Sequence, residues 1–265
     1  MKGQRRINTV SEEKIKDTLD LQIRFKKEEG REKEKQLLED TLSLELKKKN
    51  LPQSKNEPLH KDLLNYVSFS KEINRKMLKH PLLCAIPYEP SFNYRYNEIY
   101  DHKKLMSDKF LKKRDFHSFF LMYERMARPQ VLLVLMNNID DGVYWHLLRG
   151  IWIDTELPSA IISTWIDLFF ADKSFKELFM TEEDRKVYES LPEKVNIYRG
   201  YRDPDFEKGI SYTLDLEVAS FFAKRYVKED GSLSGISHKE VSKKDIFAYT
   251  NARNEKEIIY LMDHI

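Results

Sequence analysis

Residues 195–213 read VNIYRGYRDPDFEKGISYT and residues 255–261 read EKEIIYL. Their apolar and β-prone positions predict short strands over residues 195–198, 209–213 and 258–261. The chain between residues 101 and 190 has mostly helical spacing, with a helix start at Met180 to Asp184. A helical layer that precedes a strand-rich end is typical of an α+β fold.

Two glutamates, Glu255 and Glu257, stand one residue apart just before the third strand. In extended backbone, side chains two positions apart share a face at a spacing of about 7 Å, and Ser211 and Thr213 share a face in the same way. Two carboxylates that close repel each other, so the pair is better explained by a positive charge, fixed or developing, that comes to meet it. The alternative interpretation is a solvated edge strand.

Three short motifs therefore occur in a fixed order on predicted strands: Tyr198-Arg199-Gly200, Ser211-Tyr212-Thr213, and Glu255-Lys256-Glu257 followed by an Ile-Ile-Tyr-Leu run. This order resembles the arginine–serine–glutamate group of mono-ADP-ribosyltransferases. More narrowly, it is similar to compact transferase-like proteins that are common in phage genomes. The resemblance covers about residues 140 to 262. It implies a C-terminal split β-sheet domain, preceded by a mainly helical N-terminal region.

The resemblance also implies a reaction in which NAD is a substrate. The bond between nicotinamide and ribose breaks, and ADP-ribose passes to a macromolecule. Glu257 takes the position of the family's essential glutamate, where it would meet the ribose 2′-hydroxyl and the developing oxocarbenium. Glu255 would face the acceptor, and Ser211 would orient Glu257. Arg199 completes the implied catalytic set.

Further residues are implied for NAD binding. Arg199 would contact the pyrophosphate or a ribose, although a structural pairing with a nearby aspartate is the alternative. Gly200 would let the nicotinamide amide approach the backbone, and Thr213 would support the strand. Phe221 or Phe222, in the helix that follows, would pack against nicotinamide, with packing in the core as the alternative. We expect no metal site.

The loop before the glutamates takes the position of the family's acceptor-recognition loop, with Tyr249, Asn251, Arg253 and Asn254 as its expected contacts. The glutamate pair favours a protein arginine as the acceptor. A nucleic-acid acceptor stays open, as does an NAD glycohydrolase in which water replaces the acceptor. A third alternative is a non-catalytic interaction protein on the same fold.

The predicted organisation has a charged helical extension over residues 1–55, a helical or irregular region over 56–130, and the catalytic domain over 131–265. Residues 11–50 have helical apolar spacing that suits a helical partner or an inhibitor. A further amphipathic helix is expected over residues 60–80, and the change to strands after Pro192 is taken as the main structural boundary.

Composition limits the functional classes. The net charge is +2, which provides no global argument for nucleic-acid binding, and 41% hydrophobic residues support a packed core. The single cysteine, Cys84, excludes a disulfide framework. Without a run of 18 apolar residues, we expect a cytoplasmic protein that does not associate with membranes. For a phage-encoded, toxin-like protein, this is the cytoplasm of the host cell.

Overall fold

A computed structural model of the protein describes residues 57–156, 161–225 and 234–264. The chain divides into two compact units, residues 1–130 and 131–265. The second unit therefore begins where the predicted catalytic domain begins, whereas Pro192 lies inside it and marks only the change from helices to strands. The helices predicted within residues 11–50 lie outside the described residues.

The described part of the first unit opens with a sheet. A 3-10 turn over Lys61–Tyr66 leads into β1 (Val67–Ser70), β2 (Arg75–His80) and β3 (Cys84–Pro87), which form an antiparallel sheet in the order β1-β2-β3. The amphipathic helix predicted over residues 60–80 is therefore wrong. Asn74 adopts a positive φ of 51° between β1 and β2, a conformation that asparagine tolerates and that turns the chain back on itself.

Helices complete this unit. They are α1 (Asn93–Lys113), α2 (Phe116–Leu121) and α3 (Arg128–Leu135), the last of which runs into the second unit. Tyr96 and Tyr100, on α1, are buried in a core cluster with Leu63 and Leu78.

The second unit begins with helices. After α3 come α4 (Asp141–Asp154), α5 (Ile162–Phe169) and α6 (Glu182–Ser190). The predicted start of α6 is confirmed, because the Thr181 hydroxyl accepts a hydrogen bond from the Asp184 amide at 3.1 Å. Trp152 of α4 and Trp165 of α5 are both buried and meet edge to face, with 4.9 Å between ring centroids. These aromatic rings place α4 and α5 in the core of the unit.

The strand-rich end forms a second antiparallel sheet, which has five strands among the residues described. The strands are β4 (Lys194–Tyr201), β5 (Ser211–Thr213), β6 (Gly235–Ser242), β7 (Ile246–Thr250) and β8 (Glu257–Tyr260), in the order β6-β4-β5-β8-β7. Helix α7 (Leu216–Lys224) follows β5. Two separate antiparallel sheets combined with helices confirm the α+β class, and the order places β5 and β8, which carry the serine and glutamate motifs, side by side.

Helix α7 packs directly on β4 at Gly200. A Cβ added to that glycine would lie 2.0 Å from the backbone oxygen of Ala219 and 2.5 Å from the nitrogen of Ala223. The close approach therefore requires glycine and fixes the helix against the strand that carries Arg199. Within the described residues, the structure has no helix that is long and apolar enough to cross a membrane.

Candidate active site

The site is centred on Glu257, the first residue of β8. Its Cα pairs with Thr213 on β5 and with Thr250 on β7, so Glu257 lies at the start of an inner strand with a neighbouring strand on each side. The residue is only 3% exposed. A buried carboxylate without partners would be strongly unfavourable, so its hydrogen-bond partners determine what it can do.

Three side chains donate to this carboxylate, two of them from distant parts of the sequence and the third, Arg253, from four residues away. The Ser211 hydroxyl donates to Oε1 at 2.5 Å, the Trp152 indole Nε1–H to Oε2 at 3.2 Å, and Arg253 Nη2 to Oε2 at 3.0 Å. The contact from Ser211 agrees with the orienting role expected for that hydroxyl. An ionised carboxylate offers about four lone-pair positions, and the described residues fill three of them, so one on Oε1 is open to a further donor.

Glu255 does not share a strand face with Glu257, and that prediction is wrong. The strand begins only at Glu257, and the intervening Lys256 adopts a positive φ of 45°, outside the extended region. Asn254, on the other side of Glu255, also has a positive φ, of 58°. The two glutamates converge by a turn of the backbone rather than by strand alternation.

Several contacts hold this turn in place. The Thr213 hydroxyl donates to the Glu255 carbonyl at 2.6 Å, as expected of a residue that supports the strand. The Lys256 ammonium bonds Asp215 at 2.9 Å, and its backbone N–H donates to the Asn251 side chain at 3.0 Å. Strained positive φ angles persist where the surroundings determine them, and they concentrate at functional sites.

Arg253 supplies the positive charge that the glutamate pair was expected to meet. Its Nε donates to Glu255 Oε2 at 3.1 Å while its Nη2 donates to Glu257, so one guanidinium bridges both carboxylates. Its Nη1 donates at 3.3 Å to the carbonyls of Ile153 and Thr155, at the C-terminal end of α4. The partially negative end of that helix adds to the attraction. A planar guanidinium fork fits two carboxylates better than a lysine ammonium would.

Burial raises the pKa of the Glu255 carboxyl above its ordinary value, and the nearby charge of Glu257 acts in the same direction. The Arg253 guanidinium opposes both effects by stabilising the ionised form. A carboxylate with a raised pKa is a stronger base than a solvated one, which suits a group that has to accept a proton.

Arg199 lies on β4, next to the strand β5 that carries Ser211. Its Nε donates to the Phe206 carbonyl at 3.1 Å and its Nη1 to the Ser211 carbonyl at 2.7 Å. A Cβ on Gly209 would lie 2.4 Å from the guanidinium carbon, so the guanidinium lies flat against that glycine. Burial holds the pKa of Arg199 below its ordinary value, and nearby Tyr212 and Glu257 partly oppose this effect. The residue thus anchors the strand that presents Ser211, and its contact with NAD stays a prediction.

An open pocket of about 370 Å³ lies next to the glutamate turn. Phe221 and Phe222 of α7 line one side, and Arg253, Asn254 and Glu255 line another. Phe221 is 58% exposed and meets Phe222 edge to face at 5.5 Å. An exposed aromatic ring in a pocket with charged groups is an expected partner for a flat ligand ring, and both predicted phenylalanines are there.

The expected acceptor loop is shorter than the sequence suggested. Tyr249 lies on β7 and is buried with Val195 and Ile258 in the core of the sheet, so it is not a loop residue. All five residues of β7 are buried, so Tyr249 packs in the core with its neighbours along the strand. Asn251 and Asn254 are exposed in the loop proper, as expected.

Trp152 is not recognisable from the sequence as a residue of the site. It lies 105 residues from Glu257 on a helix of the same unit, and no local pattern marks a core tryptophan as a donor to a carboxylate. The contact of Arg253 with both glutamates was also missed, although the spacing Arg-x-Glu-x-Glu was visible in the sequence.

Comparison of the chain with protein families, with curated proteins and with solved structures found no match.

Proposed function

We propose that the protein is an NAD-dependent mono-ADP-ribosyltransferase that acts on the guanidinium group of an arginine. The observation that carries the proposal is the setting of Glu257. It is a buried carboxylate held by Ser211 and Trp152, beside a second carboxylate and a bound guanidinium. Of these groups, Ser211 and the two glutamates are the ones that the resemblance to arginine-modifying transferases implies.

The chemistry follows from the charges. The bond between ribose C1′ and nicotinamide nitrogen breaks, and nicotinamide leaves as a neutral molecule with the electron pair of that bond. Positive charge builds on the ribose, where a fixed carboxylate stabilises a charge that is absent from the ground state. Glu257 is suited to this role because two neutral donors already fix its position and one acceptor position on Oε1 is left for the ribose 2′-hydroxyl.

The transfer step needs a base. A nitrogen of the acceptor guanidinium forms the new bond to C1′ and loses one proton, so the products are nicotinamide, ADP-ribosylated arginine and H⁺. An arginine side chain is almost never neutral in water. Glu255, with its raised pKa and its place at the pocket, is the group that would take this proton. Phe221, exposed on the opposite wall, would pack against the nicotinamide ring.

The test is to incubate wild-type protein and Glu257→Gln with labelled NAD and bacterial lysate, then to digest the products with protease or nuclease. We expect label on protein with the wild type alone. The matched control is Glu240→Gln, because Glu240 is an exposed glutamate on β6 that pairs with Lys194. This variant should label as the wild type does.

Other outcomes assign the protein differently. Label that nuclease removes identifies a nucleic-acid acceptor, and release of nicotinamide without transfer identifies a glycohydrolase. If folded wild-type protein does not turn over NAD, the proposal is refuted and a binding role on this fold takes its place.

A further inference from the structure

Arg253 occupies the position in which an acceptor arginine would have to bind. Its guanidinium contacts both carboxylates at hydrogen-bond distance, with 3.1 Å to Glu255 and 3.0 Å to Glu257. A ligand guanidinium that approached the same carboxylates would need the same donors in the same places. Two guanidinium groups cannot occupy that position together.

The position of Arg253 also conflicts with the charge that the reaction needs. An arginine bound to Glu257 offsets the negative charge that should face the ribose, and it places a positive charge next to a developing cation. Its side chain lines the open pocket, whereas Glu257 is buried behind it. Arg253 therefore covers the catalytic carboxylate on the side from which a substrate enters.

We propose that the Glu255–Glu257 pair is a binding site for an alkylguanidinium, and that Arg253 is an internal competitor that the acceptor displaces. This inference rests on the proposed transferase activity. Exchange of one guanidinium for another conserves both ion pairs, so the acceptor restores the carboxylate contacts that Arg253 gives up. Water cannot replace these contacts equally well, so the carboxylates stay covered and NAD is spared while no acceptor is present.

Displacement is compatible with the local structure. The Arg253 side chain is 28% exposed, and the loop between Asn251 and Lys256 keeps contacts that do not involve Arg253, because Lys256 bonds to both Asn251 and Asp215. The side chain can thus leave through the pocket while Lys256 keeps its bond to Asp215. The carbonyls of Ile153 and Thr155 then become available to the nitrogens of the incoming guanidinium.

The experiment compares full-length wild type with Arg253→Gln and Arg253→Lys. Nicotinamide release from NAD is measured at a series of concentrations of agmatine, a free alkylguanidine. Suppose that Arg253 is displaced from the carboxylates in about one tenth or less of the molecules. Removal of its guanidinium then increases the apparent affinity for agmatine by about tenfold or more. We expect Arg253→Gln to lower the KM for agmatine by that factor and to raise nicotinamide release without agmatine to a similar extent.

Arg253→Lys keeps a positive charge but loses the fork, so we expect values between those of the wild type and Arg253→Gln. This variant also provides the test if the glutamine variant does not fold. The control is Arg95→Gln, since Arg95 forms an exposed ion pair with Glu98 and should leave both quantities unchanged.

A purely structural arginine would behave differently. If the folded variants release less nicotinamide than the wild type without agmatine, or keep its KM for agmatine, the competitor role is overturned while the transferase activity stands. If the folded wild type and all variants fail to turn over NAD with or without agmatine, the proposed function itself fails, and the inference fails with it.

Discussion

Replacement of Trp152 by phenylalanine tests whether the buried hydrogen bond to Glu257 supports catalysis. The change removes the indole Nε1–H that donates to Oε2 at 3.2 Å, and it leaves a ring in the core. A hydrogen bond to a charged group contributes about 1.5–3 kcal/mol. If the bond positions Glu257 for a charge that develops only in the transition state, its loss should lower kcat by roughly 10- to 100-fold, with little effect on KM.

Trp165 provides the matched control. It is buried against Trp152, and its own Nε1 has no hydrogen-bond partner among the described residues. Trp165→Phe therefore deletes the same atoms from the same core without removing a contact to Glu257. The difference between the two variants isolates the hydrogen bond from the cavity that both changes leave.

The assay measures nicotinamide release at saturating NAD, together with urea unfolding of each variant. We expect Trp152→Phe to have the lower kcat and a free energy of unfolding about 1.5–3 kcal/mol below that of Trp165→Phe. Equal kcat values in two folded variants would refute the reasoning, because Glu257 would then not need its indole partner.

Two further predictions concern stability. Gly209→Ala places a methyl group 2.4 Å from the Arg199 guanidinium carbon, so we expect it to lower the free energy of unfolding by about 1–3 kcal/mol in a urea titration. The control is Gly150→Ala, in open space within α4, which should raise the free energy of unfolding by about 0.5–1 kcal/mol. Equal effects of the two substitutions would show that the Arg199 contact is not needed. Burial lowers the pKa of His80 to about 4, below the unfolded value of 6.5. The unfolded chain therefore binds the proton more tightly, and the free energy of unfolding should fall by about 3 kcal/mol as the pH drops from 6.5 to 4. His80→Asn, whose side-chain oxygen can still accept from the Leu82 amide, should flatten that dependence in unfolding curves recorded at each pH, and an unchanged slope would contradict the assignment.

Much of the second unit could be predicted from local sequence. The strands at Arg199, Ser211 and Glu257 follow from short apolar runs, and the start of α6 follows from Thr181 and the acids after it. The fold of the first unit was harder to predict from its sequence. The apolar residues of 60–80 suit a helix as well as two short strands, and the pairing of β1 with β2 and of β2 with β3 decides between them.

The candidate site also has features that the sequence determines and features that depend on tertiary structure. The sequence alone determined which residue types are present and their order along the chain, since Ser211, Glu255 and Glu257 lie on or beside short segments whose pattern is local. Tertiary structure decided what those groups contact. The indole of Trp152 comes from a helix 105 residues away, and the turn at Lys256 and the position of Arg253 depend on contacts with Asp215 and with the carbonyls of Ile153 and Thr155. Periodicity reports which face of an element is buried, whereas a hydrogen bond to a buried carboxylate depends on the positions of atoms that can lie a hundred residues apart.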